Sequence, residues 1–166
     1  GIAVTPLQAT ATYASLSNGG NIVKPTLIKK IEIKNNKKLI SSNTSKKVNK
    51  ILRKVVTEKE GTASLANIYG YDVGGKTGTS QKYGNEEENL NTFISIFPSK
   101  NPQYALLVML ENPQVASELI YNYRGMKIKG TRNEAGWNSV YTAGKIIRKI
   151  GPILAIKNEE FYDKYA

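Results

Sequence analysis

Apolar positions recur at helical spacing at both ends of this chain, and alternating or continuous apolar runs fill its middle. Thr5-Pro6 precedes an Ala-rich stretch from position 7 to 17. Thr caps the first amides of a helix and Pro suits its first turn. Asn18-Gly19-Gly20 tolerates positive φ and ends that helix. The small side chains of Ala9, Ala11 and Ala14 predict close packing against another element. Residues 22–33 read as extended, with Pro25 restricting them to an edge or irregular strand. Asn35-Asn36 is a turn, and residues 38–40 form the second arm of a small hairpin. Ser42-Asn43-Thr44 offers caps for a second helix, whose end Gly61 marks. Its apolar residues Val48, Ile51, Leu52, Val55 and Val56 fall at i, i+3, i+4, i+7 and i+8, which predicts one apolar face.

The pattern then changes period. Residues 73–80 read as a strand, and residues 81–90 as a polar hairpin loop with Glu86, Glu87 and Glu88 at a solvated tip. Residues 91–97 form a second strand with Phe93, Ile94, Ile96 and Phe97, and a Pro98-to-Pro102 turn follows. Residues 104–110 are continuously apolar, as in a strand covered on both faces. Residues 112–136 are a long polar loop, a length that often accompanies function. The last helix runs over residues 138–150 with Val140, Tyr141, Gly144, Ile147 and Ile150 on its apolar side, and Gly151-Pro152 stops or kinks it. Trp137 is a packing anchor at its start. Two helices, an antiparallel meander of three strands and a closing helix define an α+β fold.

Composition narrows the chemistry. With no Cys and no His among 166 residues, a disulfide framework, a Cys nucleophile, a Ser-His-Asp triad and most zinc sites are excluded. Acid–base chemistry falls to Lys, Tyr, Asp or Glu. Glu86, Glu87 and Glu88 lack the spacing of a metal site, and neither metal nor cofactor is expected. No run of 18 apolar residues exists. The net charge of +11 invites a nucleic-acid reading, but 20 of the 24 basic residues are Lys and no nucleic-acid motif accompanies them. That bias, with abundant Asn and Ile, is what AT-rich codon usage produces, so no nucleic-acid partner is expected. The opening Gly1-Ile2-Ala3-Val4, with no start Met, leads to the expectation of a piece of a longer protein.

The candidate chemistry sits in Gly74-Gly75-Lys76-Thr77-Gly78-Thr79. Glycines let another chain approach the strand closely. An extended substrate can pair with such an edge as an added strand. The Lys76 ammonium and the hydroxyls of Thr77 and Thr79 can hold a terminal carboxylate, and a backbone N–H beside them can stabilise an oxyanion.

Lys-Thr-Gly is one of three motifs that build the active sites of penicillin-binding proteins and serine β-lactamases. The chain resembles the C-terminal part of the transpeptidase domain of class B penicillin-binding proteins, most of all the cell-division (septal) peptidoglycan D,D-transpeptidase of α-proteobacteria. The resemblance rests on Gly1-Ile2-Ala3-Val4-Thr5-Pro6-Leu7-Gln8 with Tyr13 and Asn18-Gly19-Gly20; on Val55-Val56-Thr57-Glu58 with Gly61-Thr62-Ala63; on residues 73–82; on the two strands after them; and on Gly136-Trp137. It implies acyl transfer from D-Ala-D-Ala of peptidoglycan stem peptides, and acylation by β-lactam antibiotics. Lys76 would stabilise charge and the proton network beside the serine of the second motif. Thr77 and Thr79 would contact the carboxylate, the Thr79 N–H would form half the oxyanion hole, and Gly78 would leave room for substrate. The resemblance also implies a periplasmic location at the inner membrane, an anchor outside this chain, and division-machinery partners reached through other regions. The family places a loop beside its active site where Tyr121, Tyr123 and Arg124 stand.

No Ser-x-x-Lys occurs in these residues, so the nucleophile and its base are absent. Ser41-Ser42-Asn43 matches the second motif, Ser-x-Asn, in form, but lies after the segment that should follow that motif, and reads instead as a helix cap. Residues 1–166 are therefore expected to be the C-terminal portion of a transpeptidase domain without its N-terminal half, inactive alone, marginally stable and with an exposed apolar sheet face. A β-lactam sensor, a degenerate non-catalytic homologue and a serine β-lactamase are the alternatives.

Overall fold

The sheet assembles where the side chains are smallest. A computed structural model describes residues 3–28, 37–82, 85–130 and 132–165. In it β1 (Gly74–Lys82), β2 (Asn85–Phe97) and β3 (Tyr104–Glu111) form an antiparallel sheet in that order. The ladder pairs Lys76 with Ile94, Thr77 with Phe93 and Thr79 with Asn91, then Phe93 with Val108. A Cβ at Gly75 would lie 2.6 Å from the Phe93 ring, so β1 can cross that ring only without a side chain there.

Strand alternation divides the sheet into two covered faces. Phe93, Phe97 and Val108 join Val140, Ala143 and Ile147 of α3 (Ser139–Tyr165) in the main core, together with Val56, Ala63, Ala66 and Val73. On the opposite face Ile96 and Ala105 meet Ala14 and Ser17 of α1 (Pro6–Ser17). Ile94 and Ile96 are buried there, while Met109 of β3 is 38% exposed.

Both early helices begin as their sequences require. Gln8 N–H donates to the Thr5 hydroxyl while Thr5 N–H donates to the Gln8 side chain, a reciprocal capping box. α2 (Ser42–Thr57) is capped by Ser41, whose hydroxyl accepts from Thr44 N–H at 3.1 Å. The formal Ser-x-Asn match thus has a helix-capping duty. Between the helices, Ile22 N–H donates to Lys37 and Leu39 N–H to Gly20, with an isolated antiparallel bridge between Asn21 and Lys38. These bonds close the base of the expected hairpin; its turn lies outside the described residues. No regular strand forms there among the described residues.

Four expectations need correction. The buried face of α2 is Ser45, Asn49, Leu52 and Val56, while Ile51 is 61% exposed. The face is turned toward α1 because Ser45 and Asn49 satisfy its C-terminal end: Gly19 N–H donates to Ser45 at 3.0 Å and Asn49 donates to Ser17 O at 2.9 Å. Second, β1 and β2 extend through most of the supposed acidic loop, so Glu86, Glu87 and Glu88 belong to β2. Third, the long loop contains a hairpin, β4 (Ile120–Tyr123) and β5 (Met126–Lys129), turning through Arg124 and Gly125 at φ 53 and 82. Two successive positive φ values are the mark of a type I′ turn. Fourth, α3 continues past Gly151 and Pro152. The Tyr71 ring packs where a Gly151 side chain would stand, so this turn is held from outside despite the missing Pro152 N–H.

The rotated face of α2 makes a direct prediction. Leu52→Ala should lower the free energy of unfolding in urea by about 2–5 kcal/mol, and Ile51→Ala should change it by no more than about 0.5 kcal/mol. Equal losses in the two variants would contradict the observed face.

Candidate active site

Strand β1 is one margin of its sheet, with β2 on one side and, among the described residues, no strand on the other. Its entry is clamped by Arg53 of α2. The guanidinium donates to Val73 O at 2.6 Å and to Asn67 Oδ1 at 3.1 Å, and pairs with Asp72 at 2.9 Å. Ser99 donates to the other Asp72 oxygen at 3.0 Å. A Cβ at Gly74 would stand 3.1 Å from the Arg53 backbone nitrogen, so strand and helix backbones touch almost directly.

From that clamp the motif residues alternate. Lys76 and Gly78, opposite Ile94 and Thr92, share the α1 side of the sheet; Thr77 and Thr79, opposite Phe93 and Asn91, share the α3 side. Thus the two hydroxyls stand together, and the Lys76 side chain leaves on the other face. Lys76 is exposed and its ammonium donates to Thr77 O at 2.7 Å. At Gly78 an added Cβ would be 2.6 Å from the Thr92 hydroxyl, which donates to Gly78 O at 3.2 Å.

Two further segments close on the α3 side. Thr62 brings its hydroxyl to 2.8 Å from that of Thr77. Ala135 N–H donates to the Thr79 hydroxyl at 3.2 Å. Ala135 is held in place through Asn133, whose side-chain oxygen accepts from Asn138 at 3.1 Å and whose amide donates to Pro113 O. Buried Asn91, the ladder partner of Thr79, reaches Asn133 O at 3.4 Å. Neither Thr62 nor Ala135 was singled out from sequence as a site residue. Their separation from the motif by 15 and 56 positions leaves no local signal.

The hairpin β4–β5 lies beside these segments. Tyr121 is buried edge-on against Trp137 and Tyr141, with centroids at 5.4 and 4.9 Å. Tyr123 stacks on Trp137 at 5.1 Å, which bears out Trp137 as an anchor. The Arg124 guanidinium lies over the Tyr123 ring and donates to Glu58 O at 2.6 Å. Tyr121, Tyr123 and Arg124 therefore pack the hairpin onto the 58–62 segment and the start of α3. Cavities of ≈590 and ≈570 Å³ lie elsewhere, around Arg53, Asp72 and Lys100, and none of the motif residues lines them. An open strand margin encloses little volume, so cavity size does not mark this site. Among the described residues no cluster of His, Cys, Asp or Glu could hold a metal.

Residues 1–131 match the penicillin-binding protein transpeptidase domain, and the chain belongs to that family, as a class B member. It is similar to the "Probable peptidoglycan D,D-transpeptidase FtsI" of Caulobacter vibrioides, at 29% identity over 96% of this chain and 28% of that protein. It is also similar to the FtsI homolog of Mesostigma viride, at 30% identity over 99% of this chain and 30% of that protein. Among solved structures, the transpeptidase domain of Legionella pneumophila FtsI4 aligns with TM-score 0.60 and 27% identity, covering 86% of this chain and 46% of that one. The corresponding domain of Burkholderia pseudomallei penicillin-binding protein 3 shares the fold, with TM-score 0.68, 24% identity and coverage of 89% and 43%. The chain thus spans less than a third of the curated relatives and less than half of either solved domain.

The Tyr–Arg packing gives a spectroscopic prediction. Hydrogen bonding from Arg124 holds the Tyr123 phenol below its ordinary value of 10.0, with Ser64 and Arg132 helping and burial opposing. A phenol that ionises more readily when folded adds stability as pH rises from its folded pKa to the ordinary value, and fully above it. Tyr121 behaves oppositely: burial, with the Tyr141 charge, raises it, so its contribution is full below the ordinary value and lost as pH rises through its folded pKa. Ultraviolet titration should show that Tyr123→Phe removes a tyrosine ionisation that begins below the ordinary value and Arg124→Ala moves it upward. An unchanged onset in both variants would refute the assignment.

Proposed function

We propose that this chain supplies the Lys-Thr-Gly side of the active site of a serine-type peptidoglycan D,D-transpeptidase acting in septal wall synthesis, and that the nucleophilic serine lies outside these 166 residues. The observation that carries this reading is the family's motif standing on an open strand margin, with the Thr77 and Thr79 hydroxyls on one face and the Lys76 ammonium on the other.

In the proposed reaction a stem peptide ending in D-Ala-D-Ala lies along β1 as an added strand. Its terminal carboxylate accepts from the Thr77 and Thr79 hydroxyls, with Lys76 contributing positive charge. The serine oxygen attacks the penultimate carbonyl carbon, and the Thr79 N–H donates to the developing oxyanion. One such donor is worth about 3–4 kcal/mol in the transition state. The C–N bond breaks, terminal D-Ala departs with its amine protonated, and an acyl-serine ester remains. An amine of a neighbouring stem attacks that ester, and the serine recovers its proton. Lys76 stabilises the network through which the serine proton passes, and Gly78 keeps the strand open to the peptide. β-Lactams acylate the same serine.

The reading extends to the cell. The enzyme works on the periplasmic side of the inner membrane, with its anchor and its division-machinery contacts in regions outside this chain. No described helix is long and apolar enough to cross a membrane.

Fluorescent penicillin tests the assignment. The 166-residue chain alone should not be labelled, whereas a polypeptide that joins it to a Ser-x-x-Lys segment of the same domain should be. In that polypeptide Lys76→Ala should abolish labelling and leave the circular dichroism spectrum unchanged. Labelling of the chain alone, or near-normal labelling of the variant, would sink the proposal.

A further inference from the structure

We infer that Thr62 is a positioning residue for the carboxylate site: its hydroxyl donates to Thr77 and so directs the Thr77 proton at the bound anion. This inference rests on the proposed reading of the site and adds to it a residue from outside the motif.

The argument starts from what each group can do. A hydroxyl has one proton to give and lone pairs with which to accept. Ala135 N–H can only donate, so at 3.2 Å the Thr79 oxygen is the acceptor and the Thr79 proton stays available. Thr62 and Thr77 stand 2.8 Å apart with either oxygen able to donate, so two polarities are open without a ligand. An anion beside Thr77 selects one of them. Thr77 must give its proton to the anion, and its oxygen then accepts from Thr62. Thr62 donating to Thr77 and Thr77 donating to a carboxylate is a polarised chain, in which each bond strengthens the next.

The position of Thr62 is fixed from several sides. A Cβ at Gly136 would fall 2.7 Å from Thr62 O, so the two backbones meet there without a side chain between them. Next to it, Ala63 N–H donates to Val55 O at 3.1 Å and Gly61 N–H donates to Glu58 O at 3.0 Å. Arg124 of the β4–β5 hairpin donates to Glu58 O at 2.6 Å and to Gly61 O at 3.4 Å. A hydroxyl held this way loses little freedom when the anion arrives. The two motif hydroxyls are therefore directed by different means, Thr79 by a backbone amide and Thr77 by a side chain that substitution can remove.

The test is a nuclear magnetic resonance titration of the 166-residue chain with N-acetyl-D-alanyl-D-alanine, read at the Gly78 and Thr79 amides, with the methyl ester as control. The free acid should bind and the ester should bind much more weakly. Thr62→Val should raise the dissociation constant roughly fivefold, the scale of one hydrogen bond, and Thr62→Ser should restore it to within about twofold. The Thr62→Val/Thr77→Val double variant should bind no worse than Thr77→Val alone, because both changes break the same chain. A merely structural Thr62 would give additive losses. If Thr62→Val disturbs the fold, Thr62→Ala against Thr62→Ser provides the same comparison. Should the wild-type chain fail to distinguish acid from ester, the carboxylate site itself falls, and this inference with it. Should the wild-type chain distinguish them while Thr62→Val binds equally well, or while the losses add, the inference alone is overturned.

Discussion

The structure depends on how β1 enters its sheet. Arg53 spends its guanidinium on Val73 O, Asn67 and Asp72, all at the mouth of the strand. A planar fork of donors suits this task as a lysine could not. Gly74 then passes against the α2 backbone, and Gly75 crosses the ring of Phe93. Because pairing has a period of two, this entry determines the face of each residue as far as Gln81, where the register shifts. A slip of one position would exchange the faces of Lys76 and Thr77. The Phe93 ring opposes a slip that brings Lys76 to the Gly75 position, and the opposite slip would set Val73 at the Gly74 position, where a Cβ would stand 3.1 Å from the Arg53 backbone nitrogen.

The remaining parts of the site follow from that register. With Thr77 and Thr79 on the α3 side, they face the segments that α3 and α2 deliver. The 58–62 segment leaves α2 and is returned by Ala63 bonding to Val55. The 133–137 segment precedes α3 and is tied to the sheet through Asn91 and Asn133. The β4–β5 hairpin joins the two, with Tyr123 on Trp137 and Arg124 on Glu58. Two separate segments thus reach the two hydroxyls, and the hairpin ties those segments together. Relatives share the family fold, while this packing is read from the chain's own side chains.

Much of this was legible in the sequence, because the α+β order and the strand identities rest on strong local periodicity. The caps at Thr5 and near Ser42 were legible for the same reason, although the capping residue is Ser41. The errors have tertiary causes. Ile51 fits the apolar period of α2, yet the hydrogen bonds of Ser45 and Asn49 to the end of α1 set the buried face. Acidic residues lowered the strand propensity of 85–90, but β1 pairs with Asn85 and Asn89 on either side of them, and β2 runs through. Pro152 reads as a stop, yet helical structure continues through it. The hairpin from Ile120 to Lys129 was readable in principle, since its residues alternate around a Gly. Its turn is Arg-Gly rather than Asn-Gly, so the usual signal was missing. Of the site, only the motif itself was legible; Thr62 and Ala135 come to it through the fold.

Alternation also explains why four successive residues can serve two sides of one reaction. On an edge strand, neighbouring side chains leave on opposite faces, but both flank the same free margin. A ligand pairing with that margin meets Lys76 on one side and the Thr77 and Thr79 hydroxyls on the other. Under the proposed reading, the lysine face is where the serine and its proton network must arrive, and the hydroxyl face is where the carboxylate is held. This chain builds the hydroxyl face from its own segments. The lysine face carries an exposed ammonium bonded only to Thr77 O among the described residues. An ammonium left against the carbonyl of the next residue can be redirected at little cost, whereas the hydroxyl face is locked by packing. Under the proposed reading, the carboxylate side is organised within these residues and the nucleophile side takes its groups from outside them.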